Sequence, residues 1–532
     1  MRNFADIWKA VCSEFSPDPR AAAGELAAAI SDLLEVEQVE YSSIGRVALF
    51  LFDLSKLGFK GMDLNVVMIT HPPEDDNEAR EQAKLLSDYK YALQSVGFCF
   101  QITLSWNPPQ PNPYIPSTLE TVFICGEDLG RLFSSKAPPL VLFEVIRRQV
   151  QLQRLCPFNT THEARGAMFK GRKDEIERLI HELDTNFIVS GARRIGKTSL
   201  LVRAYNDLRK RSEFRNPQRV YYFNCLTWGN YWDCFDRLAH AIAPRTEPRI
   251  EKSVRNISYM LERRSFRGAK PLILFFDELD RVVDVDAAHG WQFFSVLAEG
   301  VSSRWIRVVF AGYRSMTRLI VAKSIHSPQA SGCAETPFHG SLEPLALKPL
   351  TRSEANGLIT EPFNSIGVRI FEENRVTDRV WEGSAGSPFL LQFYGEQLYR
   401  RSSERSPQEV HPEDVDELEG GFELGDFLET HFLENTLDKE GPVVSERLCA
   451  FLYAHSKSKE PWTEGDFLAA CYKVNKRFEM DDIHSALRNL IHANILCYRQ
   501  RRYHFNFPLL RDILQDAYPD LPLLLKSLAQ KS

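Results

Sequence analysis

The stretch NFIVSGARRIGKTSLLVRAY, Asn186 to Tyr205, is an apolar run that halts at a glycine, takes four residues, gives Gly196, Lys197 and Thr198, and passes at once into helix-forming sequence. A short apolar run bounded by glycine predicts a buried strand. The glycines let the backbone turn tightly and bring successive N–H groups to bear on one point. A helix that starts directly afterwards aims the positive end of its dipole at the same point. Strand, turn and helix start therefore converge on a seat for an anion.

The spacing in GARRIGKT is that of the phosphate loop G-x-x-x-x-G-K-[ST], the Walker A pattern. On this reading Gly191, Ala192, Arg193, Arg194, Ile195, Gly196, Lys197, Thr198 and Ser199 form the nucleotide-binding turn. Lys197 supplies a charge for the β and γ phosphates, and the Thr198 hydroxyl is placed to ligate Mg²⁺. The short pattern also recurs by accident, and the strand before it and the helix after it are the context that argues against accident.

Downstream, PLILFFDELD (Pro271–Asp280) is an apolar strand that ends in two carboxylates. Asp277 at the strand end is expected to hold Mg²⁺ opposite Thr198. Glu278 beside it is expected to orient or activate an attacking water. The bland alternative is a strand followed by a solvated acidic turn. Asp280 is read as a cap or turn residue without chemistry. In RWIRVVFAGYRSM, Arg314 falls where the next strand ends, at the sheet edge that binds ligands in open α/β folds. It is either a γ-phosphate sensor or a surface arginine.

The chain has 532 residues, 44% apolar and 26% charged, which is the profile of an ordinary globular protein with several domains. A formal charge of −6 gives no overall attraction to nucleic acid or anionic lipid, so any such contact needs a local patch. The ten cysteines include no C-x-x-C pair, which argues against a zinc ribbon or redox motif and fits reduced thiols in a cytoplasmic protein. The opening MRNFADIWKAVCSEF lacks the apolar core of a signal peptide, and no apolar run approaches the ~20 residues that span a bilayer, so no membrane partner is expected.

Two helices are expected from Ala5 to Val36, followed by the strand-like runs RVALFLFDL, LNVVMIT, CFQITLSW and ETVFICG with a charged helix among them. This is the pattern of a small α/β domain over residues 1–160. A second unit starts at MFKGRKDEIERLI. Strands are expected at Asn186–Ser190, Arg219–Asn224, Pro271–Phe276, Arg304–Ala311 and Leu342–Leu350, separated by helices, so residues 168–350 are read as a parallel sheet with crossover helices. Residues 351–440 are read as all-helical. Residues 441–532 are read as three amphipathic helices and a strand-turn-strand.

The segments MFKGRKDEIERL, GARRIGKTSLL, LILFFDELD, VVFAGYRS, LALKPLTRSEA and GSAGSPFLLQ, in that order, resemble the STAND-type signal-transducing NTPases, relatives of the AAA+ ATPases. The resemblance implies an α/β P-loop core with a helical lid and a C-terminal winged helix, behind a separate N-terminal domain. It implies ATP and Mg²⁺ as ligands, with Phe169, Gly171 and Arg172 beside adenine and ribose. Pro388, in a G-x-P-like stretch, would touch the nucleotide from the lid; proline is equally at home as a plain helix start. Ring-forming AAA+ motors place an arginine finger before the fifth strand, whereas Leu319 to Leu350 holds no arginine. That departure favours a switch with slow turnover over a motor.

The C-terminal module leaves two readings open. Arg499, Arg501, Arg502 and His504 give a basic wing suited to DNA backbone, while Asp481 and Asp482 at the start of the third helix repel phosphate and favour internal packing. The N-terminal domain carries no motif with legible chemistry; a nuclease-like fold fits its pattern, but a Glu-x-Lys strand is missing. It is read by elimination as a sensor or protein-partner domain. The function expected is thus an ATP-dependent signalling switch, in the family's setting a defence switch that allows a nucleotide-dependent oligomer. The rival is a DNA-binding or DNA-loading AAA+ ATPase, and a third reading is a nucleotide-dependent scaffold without turnover.

Overall fold

The computed structural model describes most of the chain between residues 35 and 516; the longer stretches outside it are 1–34, 54–64, 212–218, 243–253, 320–336, 435–444 and 517–532. Contacts divide the chain into two compact units. One comprises Met1–Lys170, Ser353–Arg379 and Leu391–Asp416, the other Gly171–Arg352, Val380–Leu390 and Glu417–Ser532.

The first unit opens with β1 (Glu35–Ser42), β2 (Val47–Asp53), β3 (Asn65–Thr70), α1 (Asp76–Ala92), β4 (Phe98–Thr103) and β5 (Glu120–Ile124), then α2 (Gly126–Ser134) and α3 (Pro138–Gln149). The strands lie in chain order in one sheet, antiparallel from β1 to β3 and parallel from β3 to β5. The four apolar runs of the sequence are β2 to β5. The expected helices from Ala5 fall almost wholly outside the described residues, but Glu35 and Val36 at their end begin β1. That strand was hidden because its pairing shifts register between Val36 and Val39, which breaks the period-2 alternation.

The second unit contains α4 (Lys173–His181), β6 (Phe187–Ser190), α5 (Lys197–Lys210), β7 (Val220–Asn224), α6 (Tyr231–Ile242), α7 (Val254–Phe266), β8 (Leu272–Asp277), α8 (Asp280–Ala288), α9 (Gln292–Ser302), β9 (Ile306–Ala311) and β10 (Glu343–Ala346). Its five strands are all parallel, in the order β10-β6-β9-β8-β7. Each expected strand is present within a few residues of its expected bounds. Every residue of β8 and β9 is buried, as strands covered on both faces require. Phe223, Phe276, Phe293, Phe294, Phe310 and Trp228 pack one face, with Phe223 and Phe276 stacked at 5.0 Å. Truncating such a ring to alanine costs ~3–5 kcal/mol.

Then follow α10 (Arg352–Ser365), β11 (Arg369–Ile370), α11 (Glu373–Ser384), α12 (Pro388–Ser403), β12 (Glu409–Val410), α13 (Pro412–Glu419), α14 (Phe422–Leu428) and a π-helical turn, Glu429–Glu434. The expectation of an all-helical stretch is corrected here: β11 pairs in parallel with β12. Two residues are too few to show a strand period in sequence. The stretch ends in α15 (Ser445–Ala454), α16 (Glu464–Val474), α17 (Met480–His492), β13 (Leu496–Arg499), β14 (Arg502–Phe505) and α18 (Leu509–Asp516). β13 and β14 form an antiparallel hairpin, as the strand-turn-strand reading expected.

Candidate nucleotide-binding site

β6 is hydrogen-bonded on both sides, to β10 and to β9, so the chain leaves it at a fixed point. The turn that follows uses backbone conformations that glycine favours: Gly191 has φ +153° and Gly196 φ +98°. A Cβ at Gly191 would lie 3.1 Å from the Leu347 carbonyl oxygen, so that position also needs the missing side chain for room. Ile195 is buried beneath the turn, and its carbonyl accepts a hydrogen bond from the Arg172 guanidinium at 3.2 Å. Arg172 also pairs with Glu175 at 3.5 Å. Arg172, at the start of α4, thus braces the loop. Phe169, half-buried, belongs to the first unit.

Lys197 begins α5, with Thr198 and Ser199 in the same first turn. Lys197 is 9% exposed, and its ammonium donates to the carbonyls of Gly191 at 3.1 Å and Ala192 at 3.0 Å. Burial holds its pKa below the usual lysine value, opposed by the charges of Glu278, Asp277 and Asp280. A buried cation at a helix start, held by turn carbonyls and under the influence of three acids, suits a polyanion bound with a divalent cation.

The acids arrive from β8. Asp277 is 1% exposed; its Oδ1 accepts the Glu278 amide at 2.9 Å and its Oδ2 accepts the Tyr222 hydroxyl at 3.0 Å. Glu278 takes φ +55°, a strained value for a non-glycine residue of the kind concentrated at working sites. Burial raises its pKa above the usual glutamate value, with Asp277 adding to the effect and Lys197 opposing it. Asp280 does more than begin α8. Its Oδ2 accepts the Tyr313 amide at 2.6 Å and ties the end of β9 to the acidic turn. The Tyr313 ring centroid lies 5.8 Å from the Lys197 ammonium. Arg314 lies outside the described residues.

The loop arginines reach into the C-terminal half of the same unit. Arg194, at φ +61°, lays its guanidinium 3.9 Å from the ring centroid of Phe389. Phe389 follows Pro388, which is the first residue of α12. Phe389 in turn stacks on Phe427 at 4.9 Å, and the His431 ring stands edge-on to both. Burial lowers the His431 pKa, and the nearby Arg194 lowers it further. The Arg193 amide donates to the carbonyl of His492, the last residue of α17, at 3.3 Å. Just before Pro388, Gly386 has φ +71° and would place a Cβ 2.4 Å from the Leu350 carbonyl oxygen.

Sequence reasoning missed Tyr222, Phe389 and the Asp280 tie. Tyr222 had a signal: it shares strand parity with Asn224, the register partner of Asp277, so both side chains lie on one face. The Phe389 contact joins positions too far apart in sequence for any periodicity to reveal. Hard oxygen donors at Thr198 and Asp277 suit Mg²⁺, which keeps water and phosphate oxygens among its ligands. Among the described residues no group of three or more His, Cys, Asp or Glu could hold a metal alone. No helix among them is long and apolar enough to cross a membrane.

Solved structures similar to this chain include a Walker-type ATPase of Pyrococcus abyssi, at 16% identity and a TM-score of 0.43 over 65% of this chain and 96% of that one. Also similar are the Aeropyrum pernix ORC1 protein in complex with DNA, at 15% identity and 0.36 over 68% and 95%, and the Aeropyrum pernix ORC2 protein, at 13% and 0.42 over 66% and 96%. No curated protein matches the sequence. The family model for novel STAND NTPase 1 matches residues 154–423, which contain the phosphate loop, the acidic strand end and the Pro388 turn, and the chain belongs to that family of NTPases.

Proposed function

We propose that the protein is an ATP-dependent molecular switch with slow hydrolysis. The observation that carries this reading is the burial of Lys197 between the loop carbonyls and the acids at the end of β8. Lys197 and the loop amides hold the phosphates, and Thr198 and Asp277 hold Mg²⁺. The bound Mg²⁺ neutralises phosphate charge. Glu278 orients the attacking water and accepts its proton. Arg314 reads the γ-phosphate. Pro388 and Phe389 carry the nucleotide state from the loop to the C-terminal helices through Arg194, so that phosphate loss rearranges a partner-binding surface. The N-terminal domain supplies the sensor or partner contact, and the output is signalling, in our reading defence in a cytoplasmic setting.

The test is to measure nucleotide content and ATPase rate of purified protein with and without duplex DNA. The switch requires bound adenine nucleotide, slow turnover and little response to DNA; Lys197→Ala abolishes binding and Glu278→Gln traps the ATP state. A protein that takes up no nucleotide under saturating ATP and Mg²⁺ ends the proposal.

A second reading, ATPase action on DNA, is favoured by one feature. The β13–β14 hairpin turns through Gln500 and Arg501, at φ +51° and +63°, with Arg499, Arg501 and Arg502 exposed. On that reading α15 to α17 and the hairpin act as a DNA-binding winged helix, and DNA stimulates hydrolysis with a steep salt dependence.

A further inference from the structure

We infer that the Tyr222 hydroxyl is a positioning group for the metal-holding carboxylate of Asp277, and so sets how tightly Mg²⁺ binds with nucleotide. The inference rests on the reading of Asp277 given above.

A carboxylate has two oxygens and about four lone-pair directions. In Asp277 one direction on Oδ1 is taken by the Glu278 amide at 2.9 Å, and one on Oδ2 by the Tyr222 hydroxyl at 3.0 Å. Two donors on different oxygens fix the rotation of the carboxylate plane and leave each oxygen a second lone pair. The Glu278 amide belongs to the backbone of the same turn and cannot vary by mutation. Tyr222 is the donor that a side-chain change can remove.

Tyr222 is itself held. It stands in β7, whose register sets Tyr222 opposite Phe275 and Asn224 opposite Asp277, so Tyr222 and Asp277 lie on one face of neighbouring strands. Its ring packs against that of Tyr205 on α5, with centroids 5.7 Å apart, and Tyr205 also meets Phe275 edge-on at 6.4 Å. α5 is the helix whose first turn carries Lys197 and Thr198. The Tyr205–Tyr222 pair therefore references the Asp277 carboxylate to the helix that bears the hydroxyl expected on the same ion. Partners that orient a metal ligand from behind typically affect metal affinity by about 10–100-fold.

The experiment measures binding of a fluorescent ATP analogue by the full chain, first in EDTA and then as free Mg²⁺ is raised. Tyr222→Phe keeps the ring and its packing and removes only the hydroxyl. The expected result is unchanged analogue affinity in EDTA and roughly a tenfold rise in the Mg²⁺ concentration that gives half of the tightening. Tyr205→Phe is the control for losing a hydroxyl from the same ring pair: its hydroxyl accepts from Arg209 at 3.1 Å and is not the donor to Asp277, so its Mg²⁺ midpoint stays at the wild-type value. An unchanged midpoint in Tyr222→Phe overturns the inference, and so does an equal shift in both variants, which assigns the effect to loss of any hydroxyl from the pair rather than to the bond to Asp277. A wild-type chain that binds the analogue with no response to Mg²⁺ overturns instead the placement of the ion at Asp277.

Discussion

Glu278 combines a strained backbone, burial and two acidic neighbours, and each has a measurable consequence. Glu278→Gln is expected to slow ATP hydrolysis by about 10²- to 10⁴-fold while leaving ATP bound, as single-turnover measurements would report. The group must be ionised to accept a proton, and its pKa lies above the ordinary 4.5. Hydrolysis should therefore fall as pH drops through a value above 4.5, and this acidic limb should vanish in the Gln variant. The folded protein holds that proton more tightly than the unfolded chain does. The same carboxyl thus subtracts from stability as pH rises from 4.5 through the raised value. At this scale Lys197, Thr198, Asp277 and Glu278 were legible because their order along the chain is itself the motif. Tyr222 and Phe389 were not, because their contacts come from strand parity and from packing between distant segments.

At the scale of elements, two helix starts show what sequence can and cannot reveal. Before α16 the string TEGD spans Thr463 to Asp466, a capping pattern whose reciprocal bonds are present: the Thr463 amide donates to Asp466 Oδ2 at 2.7 Å, and the Asp466 amide to Thr463 Oγ1 at 3.4 Å. Thr463→Ala is expected to lower stability by about 1 kcal/mol in denaturant unfolding. The hydrogen bonds from Thr463 hold Asp466 below the ordinary aspartate value of 3.8. Its contribution is complete above 3.8 and declines as pH falls from there through the depressed folded value. The start of α9 has no such local signature. Its Phe293 and Phe294 amides both donate, at 2.9 Å, to the buried carboxylate of Asp286 on the preceding helix. Asp286→Ala leaves those amides without their acceptor and is expected to cost about 1–3 kcal/mol, read from the shift of the unfolding midpoint. The parallel sheet was legible from its apolar runs, whereas the β11–β12 pair was too short to announce itself.

For the molecule as a whole, the phosphate loop and the C-terminal half of the second unit meet at Arg194. A desolvated cation–π contact is worth roughly 0.5–2 kcal/mol, enough to bias two arrangements that differ little in energy. Arg194→Ala should leave Mg·ATP binding within a few-fold of wild type and remove the difference between ATP and ADP in limited-proteolysis patterns. Identical patterns for both nucleotides in the wild-type chain would end the coupling reading. Neither the contact nor the division into units was visible in composition or periodicity. Both depend on stretches from either side of residues 353–379 returning to one another.

That interrupted path bears on biosynthesis. Each unit is assembled from three separated stretches, and the second draws on everything after Glu417. A nascent chain that has just released the Lys197 loop from the ribosome still lacks the residues that will pack on Arg194. Domains that fold during translation ordinarily close in order from the amino end. Here the unit that holds the nucleotide loop also draws on residues from Glu417 onward, made well after that loop, and the apolar faces they cover are expected to meet chaperones first.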